Sequence, residues 1–419
     1  MLLFAENTTP RLRYITGFIG EALTGQPISL TTDIQTYEQY TGPRINYSTR
    51  ITPVIDLQVQ PAGLLFEEGV HPQQILVGNS NGYPVFFETG GDFPFDIFAA
   101  SFYLLSRYEE YLPYTPDFYG RYPHTASLAF KNGFLNSPVV NHWLQDLKRV
   151  LQGLYPDFKL RKQVFRFHPT YDIDEAFAFR YKGWMRNLGG YCRDLFRGNR
   201  AACKQRLKVL TGKQTDPYDA FDYMDQLHKQ FGLAPLYFFL LAARTGQVDK
   251  NTDPYGKPMQ QLVQRLAANY TTGIHPSWQS GDDSSLLIKE KELLASLSGK
   301  PVTVSRQHYL RFTLPEGYRR LMKAGICEDH SMGYGMVNGF RASVACPFYW
   351  YDLEQETITD LLIFPFCYMD ANSFFELQHT PAQALEEMRH YYREVKKVNG
   401  LLITLWHNTF LGTDPRFAG

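Results

Sequence analysis

From Gln163 onward the chain alternates short apolar runs with longer amphipathic stretches, and this alternation narrows the fold more than any other feature of its 419 residues. Val164 to Phe167, Pro235 to Leu241, Gly273 to His275, Val302 to Ser305, Leu361 to Phe366 and Leu401 to Leu405 read as strands, while Asp219 to Phe231, Met259 to Ala268, Leu286 to Leu297 and Pro315 to Ala324 read as helices. Repeated βα units of this kind close most simply into a parallel barrel of about seven or eight strands, with any chemistry at the C-terminal strand ends. Ahead of them, Val54 to Leu57, Gln74 to Val77 and Tyr83 to Phe87 predict strands of a small α/β unit. Ile97 to Tyr111, capped by Asp96, predicts a buried helix, and Trp143 to Leu154 an amphipathic one. The division falls near Pro156 to Lys162, giving an N-terminal accessory domain over 1–158 and a (β/α) unit over 159–419. Arg107, Glu109 and Glu110 read as a solvated helix end with local ion pairs.

A hydrophobic content of 44 % with 15 % aromatics supplies a sizeable core. Lys+Arg and Asp+Glu both count 42, so overall charge points to no nucleic-acid or membrane partner. The five cysteines form no CxxC pair, which disfavours a disulfide framework or thiolate zinc site. Met1 to Arg11 shows no cationic stretch leading into an apolar one, and no run reaches the roughly 18 apolar residues of a membrane span. The expectation is a soluble, cytoplasmic protein without a transmembrane segment.

Asp172 and Asp174 lie just past the first strand of the second unit, and a two-residue separation in extended chain points both carboxylates the same way. Their repulsion calls for a cation or an arginine. His275 and His308 follow two further strands, so one Asp and two His residues arrive at one mouth as a set suited to a divalent metal with open positions. Zn²⁺ is the first choice for its affinity for imidazole, and Co²⁺, Mn²⁺ or Ni²⁺ also suit such donors. His407 ends the last strand and is the candidate proton donor for an amine leaving group.

Taken together these residues resemble the polysaccharide deacetylases, metal-dependent carbohydrate esterases on an incomplete (β/α) barrel of about seven strands. Thr170-Tyr171-Asp172-Ile173-Asp174 is similar to the family's first motif, which implies Asp172 as catalytic base and Asp174 as metal ligand. Gly273-Ile274-His275-Pro276-Ser277 matches the second motif and its metal histidine. Arg306-Gln307-His308-Tyr309 matches the third, where Arg306 steadies the base and the Tyr309 backbone N–H faces the oxyanion. Leu402 to His407 resembles the last motif, with His407 as general acid. The family's second metal histidine corresponds here to Gln279, so that ligand role passes to His308, which stands where the family usually has proline. The resemblance runs from about Phe165 to Asn408, and Asp96 to Trp143 resembles the N-terminal extension of one bacterial branch. It implies removal of acetyl groups from N-acetylated sugars of a glycan or lipid-linked saccharide. Two alternatives stay open: a non-catalytic glycan-binding or scaffold member, and a small-molecule metal amidohydrolase.

Other residues invite roles near the mouth. Asp329, Arg341 and Trp406 are read as candidate substrate contacts, and Asp370 as either such a contact or a structural ion pair. Leu210 to Thr215 lacks the upstream glycine of a phosphate-binding loop and the Ser or Thr directly after Lys213. Arg180 to Lys213 holds ten Lys or Arg residues and one acid, Asp194, for a net +9, with Trp184, Tyr191, Leu195 and Phe196 interleaved. It reads either as a solvated basic helix or as a peripheral contact with an anionic glycan or membrane surface. No recognised nucleic-acid-binding motif accompanies it.

Overall fold

The computed structural model describes residues 1–417. Its N-terminal strands are β1 (Leu2–Ala5), β2 (Ser29–Thr31), β3 (Arg44–Tyr47) and β4 (Leu57–Gln58), paired in parallel in the order β2-β1-β3-β4. The strand expected at Val54 to Leu57 thus shrinks to its last residue, and Gln74 to Val77 carries no strand. Pairing starts instead at β5 (Gly78–Ser80) and β6 (Tyr83–Val85), an antiparallel hairpin. Its turn, Asn81-Gly82, has φ of 54° and 84°, the left-handed pair that a tight hairpin needs, and the turn selects the residues beside it for pairing.

Helix Ile97–Leu105 buries every one of its residues, and Asp96 caps it by accepting the Ala99 N–H at 2.9 Å. It stops short of Tyr111 because Arg107 turns left-handed at φ 55°, after which Tyr108–Tyr111 forms a separate 3₁₀ turn. That kink turns the charges inward. Arg107, Glu109 and Glu110 are therefore no solvated helix end: Arg107 donates to both glutamates at 2.8 Å, and Glu110 also accepts from Arg341 at 2.6 and 2.9 Å, all within the core. Buried charges persist only when paired in this way.

Nine strands form the second sheet. In chain order they are β7 (Arg166–Ile173), β8 (Leu236–Phe239), β9 (Thr271–Ile274), β10 (Val304–Ser305), β11 (Glu328–Asp329), β12 (Phe348–Asp352), β13 (Thr357–Ile363), β14 (Tyr368–Met369) and β15 (Leu401–His407). The spatial order is β12-β13-β11-β10-β9-β8-β7-β15-β14, and every pairing except β12 with β13 is parallel. The class is mixed α/β with one large, mostly parallel sheet. Helices Phe221–Phe231, Lys257–Asn269, Ser284–Ser298 and Glu316–Lys323 connect successive parallel strands, which is why the alternation is visible along the chain. All four residues of β8 are buried, as expected of a parallel strand covered on both faces.

Register sets the site. β15 pairs with β7 so that His407 lies opposite Asp172. Single backbone bonds extend the ladder past the short strands: His275 N–H to Phe239 O at 2.9 Å, Arg306 N–H to Ile274 O at 3.0 Å and His330 N–H to Ser305 O at 2.8 Å. One apolar cluster runs from Leu3 in β1 to Ile363 in β13, and it is reinforced by the Arg11–Glu356 ion pair and by Tyr14 Oη donating to Tyr349 O at 2.8 Å. No helix among the described residues is long and apolar enough to cross a membrane.

Candidate metal centre and active site

Asp174, His275 and His308 each bring one ligand atom to a common point, all within 4.8 Å of one another. Asp174 Oδ1 stands 3.2 Å from His275 Nε2, and Asp174 Oδ2 stands 3.6 Å from His308 Nε2. Asp174 Oδ1 is buried and accepts no hydrogen bond, so it keeps lone pairs for a cation. Gln279, by contrast, is exposed in a 3₁₀ turn, and His308 is the second imidazole of the group.

Each imidazole is turned by a partner behind it. His275 Nδ1 lies 2.6 Å from Arg306 O, an acceptor only, so Nδ1 carries a hydrogen and Nε2 is the nitrogen turned to Asp174. His308 Nδ1 donates to Asp249 Oδ1 at 2.9 Å, which turns its Nε2 to the same point. This carboxylate–imidazole arrangement is how proteins fix the tautomer of a metal-binding histidine. Burial pulls the His308 imidazolium down, but Asp174 and Asp249 outweigh it and raise His308 to about 9. For Asp174 burial acts upward, and His308 and His275 reverse it, holding the carboxyl well below its usual range. A cluster that gathers a proton this readily also attracts a cation that competes for the same lone pair.

Flanking the three are a carboxylate and an imidazole, each tied to a partner of opposite charge. Asp172, on β7, accepts from Arg306 Nη1 at 2.8 Å, and its other oxygen faces His275 Nε2 at 3.7 Å. Arg306 is fully buried, with its Nε donating to His330 O at 2.9 Å and its guanidinium 4.4 Å from the Phe238 ring centre. Across the site, His407 Nδ1 bonds Asp370 Oδ1 at 2.7 Å, and Asp370 Oδ2 accepts the His407 backbone N–H at 2.6 Å. Burial would lower His407, but Asp370, with Asp174 and Asp172 behind it, pushes it up to about 10. Its Nε2 is 3.7 Å from Asp174 Oδ2. Asp370 therefore orients His407.

Tyr309 adopts φ 58° and ψ 10°, and Leu310 follows at φ 54°, a left-handed step that is costly for such residues and that re-aims the chain at the mouth. The segment before β7 supports this kink: the Tyr119 ring stacks on Tyr309 at 5.2 Å, and Arg121 Nη1 donates to Tyr309 O at 2.7 Å. The resulting open cavity of about 550 Å³ is lined by Asp172, Asp174, His275, His308, Tyr309 and His407, with Tyr119 and Arg121 at one wall.

Three expected substrate contacts lie elsewhere. Asp329 is wholly buried on β11, accepting from Ser305 Oγ and from the Ser331 N–H and Oγ, each at 2.9 Å. Arg341 is locked in the ion-pair network with Glu110 and donates to Gly333 O at 3.1 Å. Trp406 precedes His407 on β15, and alternation along a strand sends it to the opposite face, where its Nε1 bonds Thr404 Oγ1 at 2.9 Å and its ring packs on Tyr368. Sequence reading missed Asp249, Tyr119 and Arg121. Asp249 belongs to no motif and lies 59 residues before His308, so no local pattern announces it.

A family model described as "Family of unknown function (DUF7033)" matches residues 1–156. No curated protein matches the chain. Among solved structures, a chain from Mycobacterium smegmatis described as a candidate polysaccharide deacetylase aligns with a TM-score of 0.38 and 13 % identity, covering 59 % of this chain and 78 % of that one.

Proposed function

We propose that this protein is a metal-dependent hydrolase that removes acetyl groups from N-acetylated sugars of a glycan. One observation carries the reading: Asp174, His275 and His308 bring ligand atoms together between an arginine-paired carboxylate, Asp172, and a histidine oriented by Asp370, His407. The order of the four sequence motifs from Thr170 to His407 agrees with it. Asp174, His275 and His308 would hold the cation, with Zn²⁺ favoured by two imidazoles and one carboxylate and Co²⁺, Mn²⁺ or Ni²⁺ as substitutes. When bound, the cation supplies Lewis acidity and makes water acidic enough to react near neutral pH.

The protein's own groups divide the remaining work. Asp172 takes the proton of the attacking water, and Arg306 holds its carboxylate in place at 2.8 Å. The Tyr309 backbone N–H, positioned by the left-handed kink, faces the developing oxyanion. His407, oriented through Nδ1 by Asp370, gives its Nε2 proton to the departing amine. In this reading the (β/α) unit is an incomplete barrel of about seven strands, and residues 1–158 form an accessory domain that supplies Tyr119 and Arg121 to one wall.

The test pairs metal analysis of the purified chain with acetate release from short N-acetylated oligosaccharides. Asp174→Ala and His275→Ala should abolish metal retention, whereas Asp172→Asn should keep the metal and lose acetate release. Full activity in Asp172→Asn would overturn the mechanism, and a chain that binds no divalent metal would overturn the function.

A further inference from the structure

Helix Trp184–Phe196 is built inside out. Its inward face is polar: Arg206, from helix Arg200–Leu210, donates to Asp194 Oδ2 at 2.8 Å and to Asn187 Oδ1 at 3.1 Å, and its guanidinium sits 4.4 Å from the Phe179 ring centre. Gly190 makes room for that guanidinium, since a Cβ there would lie 2.7 Å from it. The apolar side chains face solvent instead. Trp184 is 74 % and Phe196 92 % exposed, and Met185, Leu188 and Leu195 are each more than half exposed. At 100° per residue these five fall within an arc of roughly 120°, a continuous stripe and no scatter of single residues. An ordinary helix of a soluble domain turns such a stripe to the core.

Cations lie beside the stripe. Arg186, Arg193, Arg197, Arg200, Lys204 and Lys208 are all exposed on the two helices or the turn between them, in the segment of net +9. We infer that this helical hairpin is an interfacial anchor that lies in the headgroup region of an anionic lipid bilayer, inserting Trp184, Met185, Leu188, Leu195 and Phe196. An exposed apolar arc edged by Lys and Arg is what such a surface selects, because the stripe enters the acyl boundary while the cations meet anionic headgroups. Pairing with a second copy would press two strongly cationic faces together at a cost in repulsion. Residues 175–183 join Asp174, just past β7, to the hairpin, and Lys182 at its foot pairs with Glu175, which lines the cavity. The proposed bilayer contact is therefore tethered to a wall of that cavity.

The experiment is co-sedimentation of the full chain with phosphatidylcholine vesicles, with and without phosphatidylglycerol, at low and high salt. Binding should require phosphatidylglycerol and weaken as salt is raised. Replacing Arg193, Arg197, Arg200 and Lys204 by Gln should weaken binding by at least about a hundredfold, since each cation near an anionic surface contributes about a fivefold factor. Trp184→Ser with Phe196→Ser should also release the protein, although these exposed positions leave thermal unfolding unchanged. Absence of binding to phosphatidylglycerol vesicles overturns the inference. So does binding that the Trp184 and Phe196 changes leave intact, which would assign the cations to a soluble polyanion. A dimer in solution that Trp184→Ser dissociates would assign the stripe to a second copy and overturn it as well.

Discussion

Asp249 holds His308 by its Nδ1 hydrogen at 2.9 Å, from a loop whose next residue, Lys250, lines the same cavity. Because that bond fixes which nitrogen faces Asp174, Asp249→Ala should weaken metal affinity by about 10- to 100-fold, the usual effect of removing such a partner. Competition against a chromophoric chelator measures it. Activity should return in excess metal; unaltered affinity would show that His308 is oriented by packing alone.

Asp370 performs the parallel service for His407, and Asp370→Asn should lower kcat by on the order of a hundredfold with metal content unchanged. The loss should be larger for an amide than for an ester of the same sugar, because an alkoxide leaving group needs less help from the acid. Equal losses on both substrates would remove His407 from the protonation step.

Glu110 and Arg341 test a correction. If Arg341 is structural, Arg341→Ala leaves the Glu110 carboxylate with one fewer partner in the core and should cost about 3–5 kcal/mol of stability, read by chemical denaturation. The fraction that stays folded at low temperature should keep its KM. A raised KM in a fully stable variant would return Arg341 to the substrate.

Asp96 predicts a pH dependence of stability. Burial raises this helix-capping carboxyl to about 6 against 3.8 for the free group, despite hydrogen bonds from the Ala99 N–H, Tyr47 and the Ala62 N–H. The fold thus holds the proton more tightly than the unfolded chain does. Its contribution is complete below the unfolded value and is lost as pH rises through the folded one. Relative to Asp96→Asn, which cannot ionise, the wild type should lose about 3 kcal/mol of advantage between pH 4 and 7. A pH-independent difference between the two proteins would refute it.

Much of the second unit was legible because strand and helix periods are properties of the local chain, and each βα step repeats them. Asp172, Asp174, His275, His308 and His407 could be picked out because each follows a recognisable apolar strand. What stayed hidden depends on contacts between distant segments. Asp249 matters only through the histidine it reaches, and Tyr119 and Arg121 matter only because the fold brings them to Tyr309. Asp329 was misplaced because β11 is two residues long and its inward direction is set by Ser305 on the neighbouring strand. Trp406 was a different error, since strand alternation from His407 already excluded it from the mouth. In the N-terminal portion the strands are two to four residues long, too short for a period to register.

The grip of Arg121 on the Tyr309 carbonyl, with Tyr119 stacked on the same residue, couples the two portions of the chain. A gene fusion that replaced the front portion with an unrelated module would leave the Tyr309 kink without its brace and remove one wall of the cavity, even with Asp172, Asp174, His275, His308 and His407 intact. Sequence drift at Tyr119, Arg121 and Tyr309 should therefore be correlated among descendants of this chain, and recombination points that survive selection should fall outside the interval from Tyr119 to Tyr309.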